Sequence, residues 1–147
     1  MPDKLDKYEK FKIREYSCWT LYLHSNQYYI GRCYAWLKRE GEMQRFSSIT
    51  PGELFELHRS LMPEYEAAVD RLWKPGFINN AWLCNEFHTH GGHGHMHLIP
   101  RYKHPVHFFK HEFRDNQWGY NYAPYPKLKL PKKMLLRIRD ALREEIR

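Results

Sequence analysis

The fold is decided by one short stretch of the chain, His93-Gly94-His95-Met96-His97-Leu98-Ile99-Pro100-Arg101. Its three histidines stand at alternate positions. Side chains alternate between the two faces of a β-strand, so the three imidazoles are predicted to line one face of one strand. Imidazole is costly to bury without a partner, and near neutral pH it serves as a nucleophile, an acid–base group or a metal ligand. The stretch therefore predicts a functional site on a strand.

Length and composition indicate one globular domain spanning residues 1–147. Of its 147 residues, 42% are hydrophobic and 28% are charged, as is usual for a domain with a single core. The formal net charge of +7 favours anionic, phosphate-bearing ligands. We do not expect nucleic acid as a partner, because part of the basic excess lies at the two chain ends and no RNA-binding motif is visible.

The cysteines and the apolar pattern predict a cytoplasmic protein. Cys18, Cys33 and Cys84 are odd in number and widely spaced, which argues against a disulfide framework and for a reducing compartment. No apolar stretch approaches the length of a membrane span, and the first residues do not form a signal peptide. We therefore expect no membrane partner.

The remaining strand signals predict an α+β domain with an antiparallel sheet. Runs rich in β-branched and aromatic residues predict strands before and after the histidine stretch. These strands are expected over residues 19–23, 32–37 and 78–85, with a further extended segment over residues 106–113.

Helix signals stand apart from the strands. Thr50-Pro51-Gly52-Glu53 is a capping box with proline at the first helical position, and it opens a long amphipathic helix. Pro63 is expected to kink or split that helix. A short helix is predicted over residues 5–14, and a last amphipathic helix is predicted from Pro131.

The alternating histidines are open to three interpretations. His95 can act as a nucleophile, with the flanking imidazoles orienting it beside a phosphate. Alternate strand residues can also share one metal ion, as they do in amidohydrolase barrels and cupins. The chain is too short for the former, and its long helices fit the latter poorly. The third interpretation is a polar strand of satisfied or exposed histidines, which strict alternation makes the weakest of the three.

At this point the chain resembles the histidine triad (HIT) family, whose signature is three histidines alternating with apolar residues. The stretch from His93 to Ile99 matches it, with glycine at the first apolar position. The resemblance extends over residues 19–103, in the family's order, and is carried by three further segments: Gly31–Arg39, Ser48–Leu54 and Leu83–Glu86. Residues 104–147 form an extension similar in style to that of bacterial and archaeal members described as dinucleoside polyphosphate hydrolases.

The resemblance implies a HIT-like sheet of about five strands, a long helix packed on it, a C-terminal helix and a homodimer. It also implies hydrolysis or transfer at the α-phosphate of a dinucleoside polyphosphate or a nucleoside phosphoramidate. His95 would be the nucleophile that forms a covalent nucleotidyl-imidazole intermediate. His93 and His97 would orient His95 and stabilise the charge that develops on the phosphate oxygens.

The predicted substrate contacts lie around this strand. Asn85 would bind phosphate or the leaving group, and Gly92 would allow close backbone approach to phosphate. Asn26 and Gln27 occupy the turn where relatives contact ribose and base. Arg101 either meets phosphate in a bidentate pair or pairs with a neighbouring acid.

Two segments depart from the better-known branches of the family. His24-Ser25-Asn26 stands where an acidic ribose ligand is usual, and the loop from His88 to Gly92 lacks the usual hydroxyl donor except for Thr89. His88 or His90 is then a candidate general acid, and the alternative is that both lie in an exposed polar loop. No resident cofactor is expected. A divalent cation accompanying a polyphosphate substrate, and a zinc site built from His88, His90 and His104, are retained as alternatives.

Two other functions remain open at this level. One is a nucleotide-binding regulatory protein with weak catalysis. The other is a metalloprotein that uses the histidine cluster.

Overall fold

The computed structural model describes residues 7–41, 44–84, 92–124 and 126–146. A five-stranded antiparallel sheet forms its centre. The strands are β1 (Lys12–Glu15), β2 (Trp19–Leu23), β3 (Cys33–Leu37), β4 (Phe77–Leu83) and β5 (His95–Arg101). They lie in the order β1-β2-β3-β5-β4, so the histidine strand β5 is flanked by β3 and β4. The predicted fold class is confirmed.

One continuous helical segment covers one face of this sheet. It consists of α1 (Pro51–Glu56), a π-helical turn (Leu57–Leu61) and α2 (Met62–Leu72). The predicted capping box is present, because the Thr50 side chain accepts from the Glu53 backbone and the Glu53 side chain accepts from the Thr50 backbone. The predicted interruption takes the form of the π-helical turn, which ends just before Pro63. Pro63 lies in the first turn of α2, close after this turn, so the residue without a backbone N–H coincides with the break in regular α-helical hydrogen bonding.

The two faces of β5 have different environments. Met96 and Leu98 point to the helical side and join a hydrophobic cluster with Trp19, Leu21 and Tyr65. The residues between them point to the opposite face. The alternation predicted from the sequence is therefore present, although the strand begins at His95 rather than at His93.

The N-terminal segment differs from the prediction. A helix was expected over residues 5–14, but in the described part only residues 7–9 are helical and β1 follows at Lys12. The strand forms because β2 offers an edge on which β1 pairs in antiparallel register. Tertiary pairing thus outweighs the weak local helix signal.

The last quarter of the chain returns to both faces of the sheet. A small hairpin of β6 (Val106–Phe108) and β7 (His111–Phe113) is followed by an irregular segment and by α3 (Lys132–Glu145). Leu135, Ile138 and Leu142 bury the apolar stripe of α3 in the same hydrophobic cluster. The helix begins after Pro131, as predicted.

The irregular segment is fastened to the sheet by a buried ion pair. Arg101 and Asp115 have side chains that are 1% and 0% exposed, and Arg101 Nε donates to Asp115 Oδ2 at 2.7 Å. Arg101 also donates to the carbonyl oxygens of Gln117 and Tyr120 and to Asn79 Oδ1. Asp115 further accepts the backbone N–H groups of Tyr102 and Gln117. The pair therefore closes the segment over the end of β5.

No helix in the described part of the chain is both long enough and apolar enough to cross a membrane.

We predict that Arg101→Met lowers the free energy of unfolding by about 3–5 kcal/mol, because it leaves a buried carboxylate without its partner. Urea denaturation followed by far-UV circular dichroism measures the change. Arg114→Met is the matched control, because Arg114 pairs with Glu112 at the surface and its loss is expected to cost less than about 1 kcal/mol. Equal costs for the two variants would contradict the structural role of Arg101.

Candidate functional site

The three histidines lie on the sheet face opposite the helices. His95 is directly across from Trp36 on β3, and His97 is across from Tyr34. His93 lies just before the strand, but its ring stacks on Trp36 with centroids 4.4 Å apart. All three histidines are buried. The sequence prediction that they share one face is therefore matched by their geometry.

Aromatic rings on β3 hold the imidazoles in place. Tyr34 packs edge-on against His95 at 5.7 Å, and the rings of His95 and His97 are 4.6 Å apart. Tyr34 in turn stacks on Tyr22 of the next strand at 5.4 Å. Cross-strand ring contacts of this kind restrict side-chain rotation. The site is thus rigid on the side formed by the sheet.

A backbone hydrogen bond sets the protonation pattern of His95. Its Nδ1 lies 3.1 Å from the carbonyl oxygen of His93. A carbonyl can only accept, so Nδ1 carries the hydrogen and the lone pair of the neutral ring is at Nε2. His93 has a similar bond, since its Nε2 donates to the carbonyl oxygen of Leu37 at 3.0 Å. The tautomers of both rings are therefore determined by the main chain.

His97 is held in the neutral state. Burial, followed by the nearby His95, Arg32 and His24, lowers its pKa to about 2. Its Nδ1 lies 3.2 Å from a terminal nitrogen of Arg32. At physiological pH the ring is therefore a polar group without charge.

A fourth histidine, His24, lies beside His97 with ring centroids 5.7 Å apart. Burial lowers the pKa of His24 to about 3, and the charge of Arg32 lowers it too. The backbone N–H of Asn26 donates to His24 Nδ1 at 3.0 Å, which places the hydrogen of the neutral ring on Nε2. The site thus contains two neutral imidazoles beside His95.

Arg32 supplies positive charge at this site, and the sequence interpretation assigned it no role. It lies immediately before β3, at a position that shares its face with Tyr34 and Trp36. The signal that could have found it is the hairpin itself, because antiparallel pairing of β2 with β3 brings His24 and Arg32 together. That pairing places both residues next to the histidine strand.

Asn26 and Gln27 do not have the predicted freedom to bind a substrate. The Gln27 amide nitrogen donates to the carbonyl oxygens of His24 and Arg32, and its oxygen accepts from the Gly31 backbone. The Asn26 amide bonds to the backbone of residues 28, 126 and 128. Both side chains stabilise the turn between β2 and β3, because its backbone groups would otherwise be buried without partners.

Arg101 also differs from the predicted phosphate contact. All five of its N–H donors are engaged by Asp115, Asn79 and two backbone carbonyls. Arg101 instead pairs with a nearby acid, which was the second possibility considered from the sequence, and the pair is buried rather than at the surface. No donor of Arg101 remains for a phosphate.

Gly92 is placed at the start of the histidine stretch. Its φ of 74° lies in the left-handed region, which glycine adopts at little cost. Asn85, His88, Thr89 and His90 lie outside the described residues. The zinc site considered from the sequence includes His88 and His90, so it too falls partly outside them. No group of three or more histidine, cysteine or acidic side chains is arranged to hold a metal within the described ranges.

The described arrangement suits nucleophilic attack on an anionic group. It combines an imidazole whose lone pair is fixed at Nε2, neutral N–H donors beside it, and a buried guanidinium. Charge that develops on phosphate oxygens is stabilised most by donors that are already oriented. Such a set of groups needs no proton transfer to become ready for reaction.

Comparison by sequence finds no matching family model and no matching curated protein. Comparison of structures finds many similar chains. One is a hypothetical histidine triad nucleotide-binding protein of Sulfolobus tokodaii strain 7, with a TM-score of 0.68 and 15% identity over 92% of this chain and 83% of that one.

Two bacterial structures give the same result. A histidine triad protein of Sinorhizobium meliloti 1021 matches with a TM-score of 0.68 and 13% identity, over 99% of this chain and 95% of its own. A histidine triad protein of Bradyrhizobium japonicum matches with a TM-score of 0.66 and 16% identity, over 95% and 93%. These matches confirm, at the level of the fold, the resemblance inferred from the histidine stretch.

We predict that His24 and His97 make stability fall in acid. Their folded-state pKa values lie far below the value of about 6.5 for a free histidine. The unfolded chain therefore binds more protons below about pH 6.5, and the free energy of unfolding decreases as the pH falls. Each of the two rings is expected to lower the free energy of unfolding by about 2 kcal/mol as the pH falls from about 7.5 to about 5.

Urea titrations at several pH values measure this loss. His97→Gln is expected to reduce the acid-induced loss by about 2 kcal/mol. The control is His107→Gln, because the His107 side chain is 74% exposed on the hairpin. A pH dependence that is identical in wild type and His97→Gln would contradict the assignment.

Proposed function

We propose that this chain, which has the histidine triad fold, is a nucleotide hydrolase or transferase that acts at an α-phosphate. The observation that carries the proposal is the hydrogen bond from His95 Nδ1 to the carbonyl oxygen of His93. That bond directs the lone pair to Nε2, which is the atom that attacks phosphorus. The description of the Sulfolobus protein as nucleotide-binding supports the substrate class.

The proposed reaction has two displacements. His95 Nε2 attacks the α-phosphorus, a nitrogen–phosphorus bond forms, and the bond to the leaving group breaks with its electron pair going to the leaving group. Water then attacks the same phosphorus, the nitrogen–phosphorus bond breaks, and a nucleoside monophosphate is released. The proton lost by water balances the proton taken by the leaving group, so His95 returns to its neutral form.

The carbonyl of His93 stabilises the intermediate. Attack through Nε2 makes the His95 ring positively charged while its Nδ1–H still points at this oxygen. A hydrogen bond to a carbonyl strengthens when its donor becomes charged. The same bond that sets the tautomer therefore favours the transition state over the resting site.

The substrates proposed are a dinucleoside polyphosphate or a nucleoside phosphoramidate. In both, the leaving group is attached to the α-phosphorus, and the neutral donors of His97 and His24 are available near that atom's expected position. The chemistry uses side chains of this chain and no resident cofactor. A divalent cation would enter only as a companion of a polyphosphate substrate.

We also propose a homodimer formed at the β4 edge of the sheet. Among the described residues, β4 pairs with β5 and with no other strand, and an open edge is prone to association. Phe46 contacts Trp82 of this strand at 5.4 Å, and Phe46 is itself exposed. Apolar side chains of this size beside an open edge favour a second copy of the chain as partner.

A reducing compartment, such as the cytoplasm, is proposed for the protein from its thiols. Cys18, Cys33 and Cys84 are all free. Cys33 is completely buried, and burial raises the pKa of its thiol, which makes it unreactive. Free thiols in this number are typical of reducing surroundings.

We predict that His95→Ala lowers turnover of a dinucleoside polyphosphate and of an adenosine phosphoramidate by at least about 10³-fold, because the nucleophile is lost. Binding of AMP is expected to change by less than about 10-fold. Chromatographic assay of released AMP and calorimetric titration with AMP give the two quantities. His107→Ala, on the exposed hairpin, serves as the control and should retain turnover.

An acid-quenched wild-type reaction should also show, by intact mass, a nucleotidyl group on His95. Full activity in His95→Ala would refute the mechanism. AMP binding without turnover or adduct in wild type would instead favour a nucleotide-binding regulatory protein.

We predict that Phe46→Glu weakens self-association by about 10-fold or more, because a charge is placed on the proposed apolar interface. Light scattering after size-exclusion chromatography, over a series of concentrations, measures the mass. Phe109→Glu is the control, because Phe109 is also exposed but lies in the hairpin between β6 and β7. A wild-type monomer at all concentrations would exclude the dimer.

A further inference from the structure

Arg32 is placed to control the neighbouring histidine. Its side chain is completely buried, and a terminal guanidinium nitrogen lies 3.2 Å from His97 Nδ1. An arginine buried at the end of a hairpin is costly for the fold. Its position against an imidazole of the site suggests a role in that site.

The contact determines which nitrogen of His97 carries hydrogen. Guanidinium has five N–H donors and no acceptor, and it stays protonated at any pH the protein experiences. His97 Nδ1 must therefore accept from Arg32, and its own hydrogen must be on Nε2. A histidine, glutamine or asparagine at position 32 would leave both arrangements open, because each of them can donate or accept.

The hydrogen on His97 Nε2 is not used by the described part of the protein. This nitrogen is buried and has no hydrogen-bond partner among the described residues. A buried donor without an acceptor is costly, and it is seen where a ligand supplies the missing partner. The ring lies 4.6 Å from that of His95, so an oxygen bonded to the reacting phosphorus would be close to it.

We propose that Arg32 is a positioning residue that locks His97 as the neutral Nε2–H tautomer, so that His97 donates a hydrogen bond to an oxygen of the reacting phosphate or of the leaving group. The inference rests on the proposed function of His95 for its catalytic consequence. The tautomer itself is a property of the free protein and can be tested without substrate.

The other groups that face His97 do not compete with Arg32 for this control. Among the described residues these are His95 on β5, Tyr34 on β3 and His24 after β2, while Ala81 of β4 is not titratable. Burial raises the pKa of Tyr34 and lowers that of His24, so both rings are neutral at pH 7. The Arg32 guanidinium is the permanent cation within this set.

Burial and the nearby His95 oppose protonation of His97, and the contact with Arg32 opposes it further. An imidazolium would direct an N–H from Nδ1 at a guanidinium N–H, which replaces a hydrogen bond with a repulsion between two donors and two charges. His97 therefore stays a donor of one hydrogen over the range in which the fold is stable. Weak acid would then not reduce turnover by protonating His97.

The test compares wild type with Arg32→Gln and Arg32→Lys by long-range ¹H–¹⁵N NMR of the histidine rings. Wild type should show His97 protonated on Nε2 only, with no titration from about pH 8 to about pH 5. Arg32→Gln should show Nδ1–H or a mixture of tautomers, because glutamine can accept as well as donate. Arg32→Lys, a donor without acceptor capacity, should keep the Nε2–H form.

Kinetics of the same variants give the second measurement. In Arg32→Gln, kcat is expected to fall by about 10²-fold while KM changes by less than about 3-fold, because the donor acts mainly in the transition state. The kcat of Arg32→Lys should be about 10-fold higher than that of Arg32→Gln. The control is Arg101→Lys, a second buried arginine that contacts no histidine, which should leave the His97 spectrum as in wild type.

The outcomes separate this inference from the proposed function. A wild-type spectrum with hydrogen on His97 Nδ1, or a folded Arg32→Gln variant that keeps the pure Nε2–H form of His97, overturns the lock. If Arg32→Gln does not fold, the wild-type and Arg32→Lys spectra still decide it. A wild type with the expected tautomer but no turnover of any nucleotide substrate would leave the lock in place and refute the proposed function.

Discussion

The structure depends on the register in which β5 pairs between β3 and β4. Because side chains alternate along a strand, this register sends Met96 and Leu98 into the core and His95 and His97 to the opposite face. A slip of one residue would bury the imidazoles against the helices and expose the apolar side chains. The same register therefore determines both the packing of the core and the placement of the site, and the helices stabilise the site from the other side of the sheet.

Two buried arginines divide the functions of this face. Arg101 directs all its donors to a carboxylate, an amide and two carbonyls, and so fastens the chain beyond β5. Arg32 contacts a neutral imidazole instead. One arginine thus stabilises the fold at one end of this face, and the other sets the tautomer of His97 at the other end. The difference comes from the partner, because a carboxylate neutralises guanidinium whereas a neutral imidazole only accepts from it.

The sequence was sufficient for those features that depend on local periodicity. Alternation placed the histidines on one face, the capping box located the start of α1, and Pro131 preceded α3. It was insufficient where partners are distant along the chain. β1 forms only because β2 is beside it, and Asn26 and Gln27 looked available for ligand until their amides were seen to bond the backbone. Arg32 was missed for the same reason, since nothing local to it indicates His97, which is 65 positions away.

The attachment of the tail has a consequence for how the protein is made. Asn26 Oδ1 accepts from the backbone of Leu128, and Tyr29 donates to the carbonyl oxygen of Tyr122. The hairpin that carries His24 and Arg32 is thus held by residues synthesised about a hundred positions later. During translation the sheet can assemble before these contacts exist, because long-range contacts form late. The emerging chain can therefore form its histidine strand before the contacts that hold the β2–β3 turn are made.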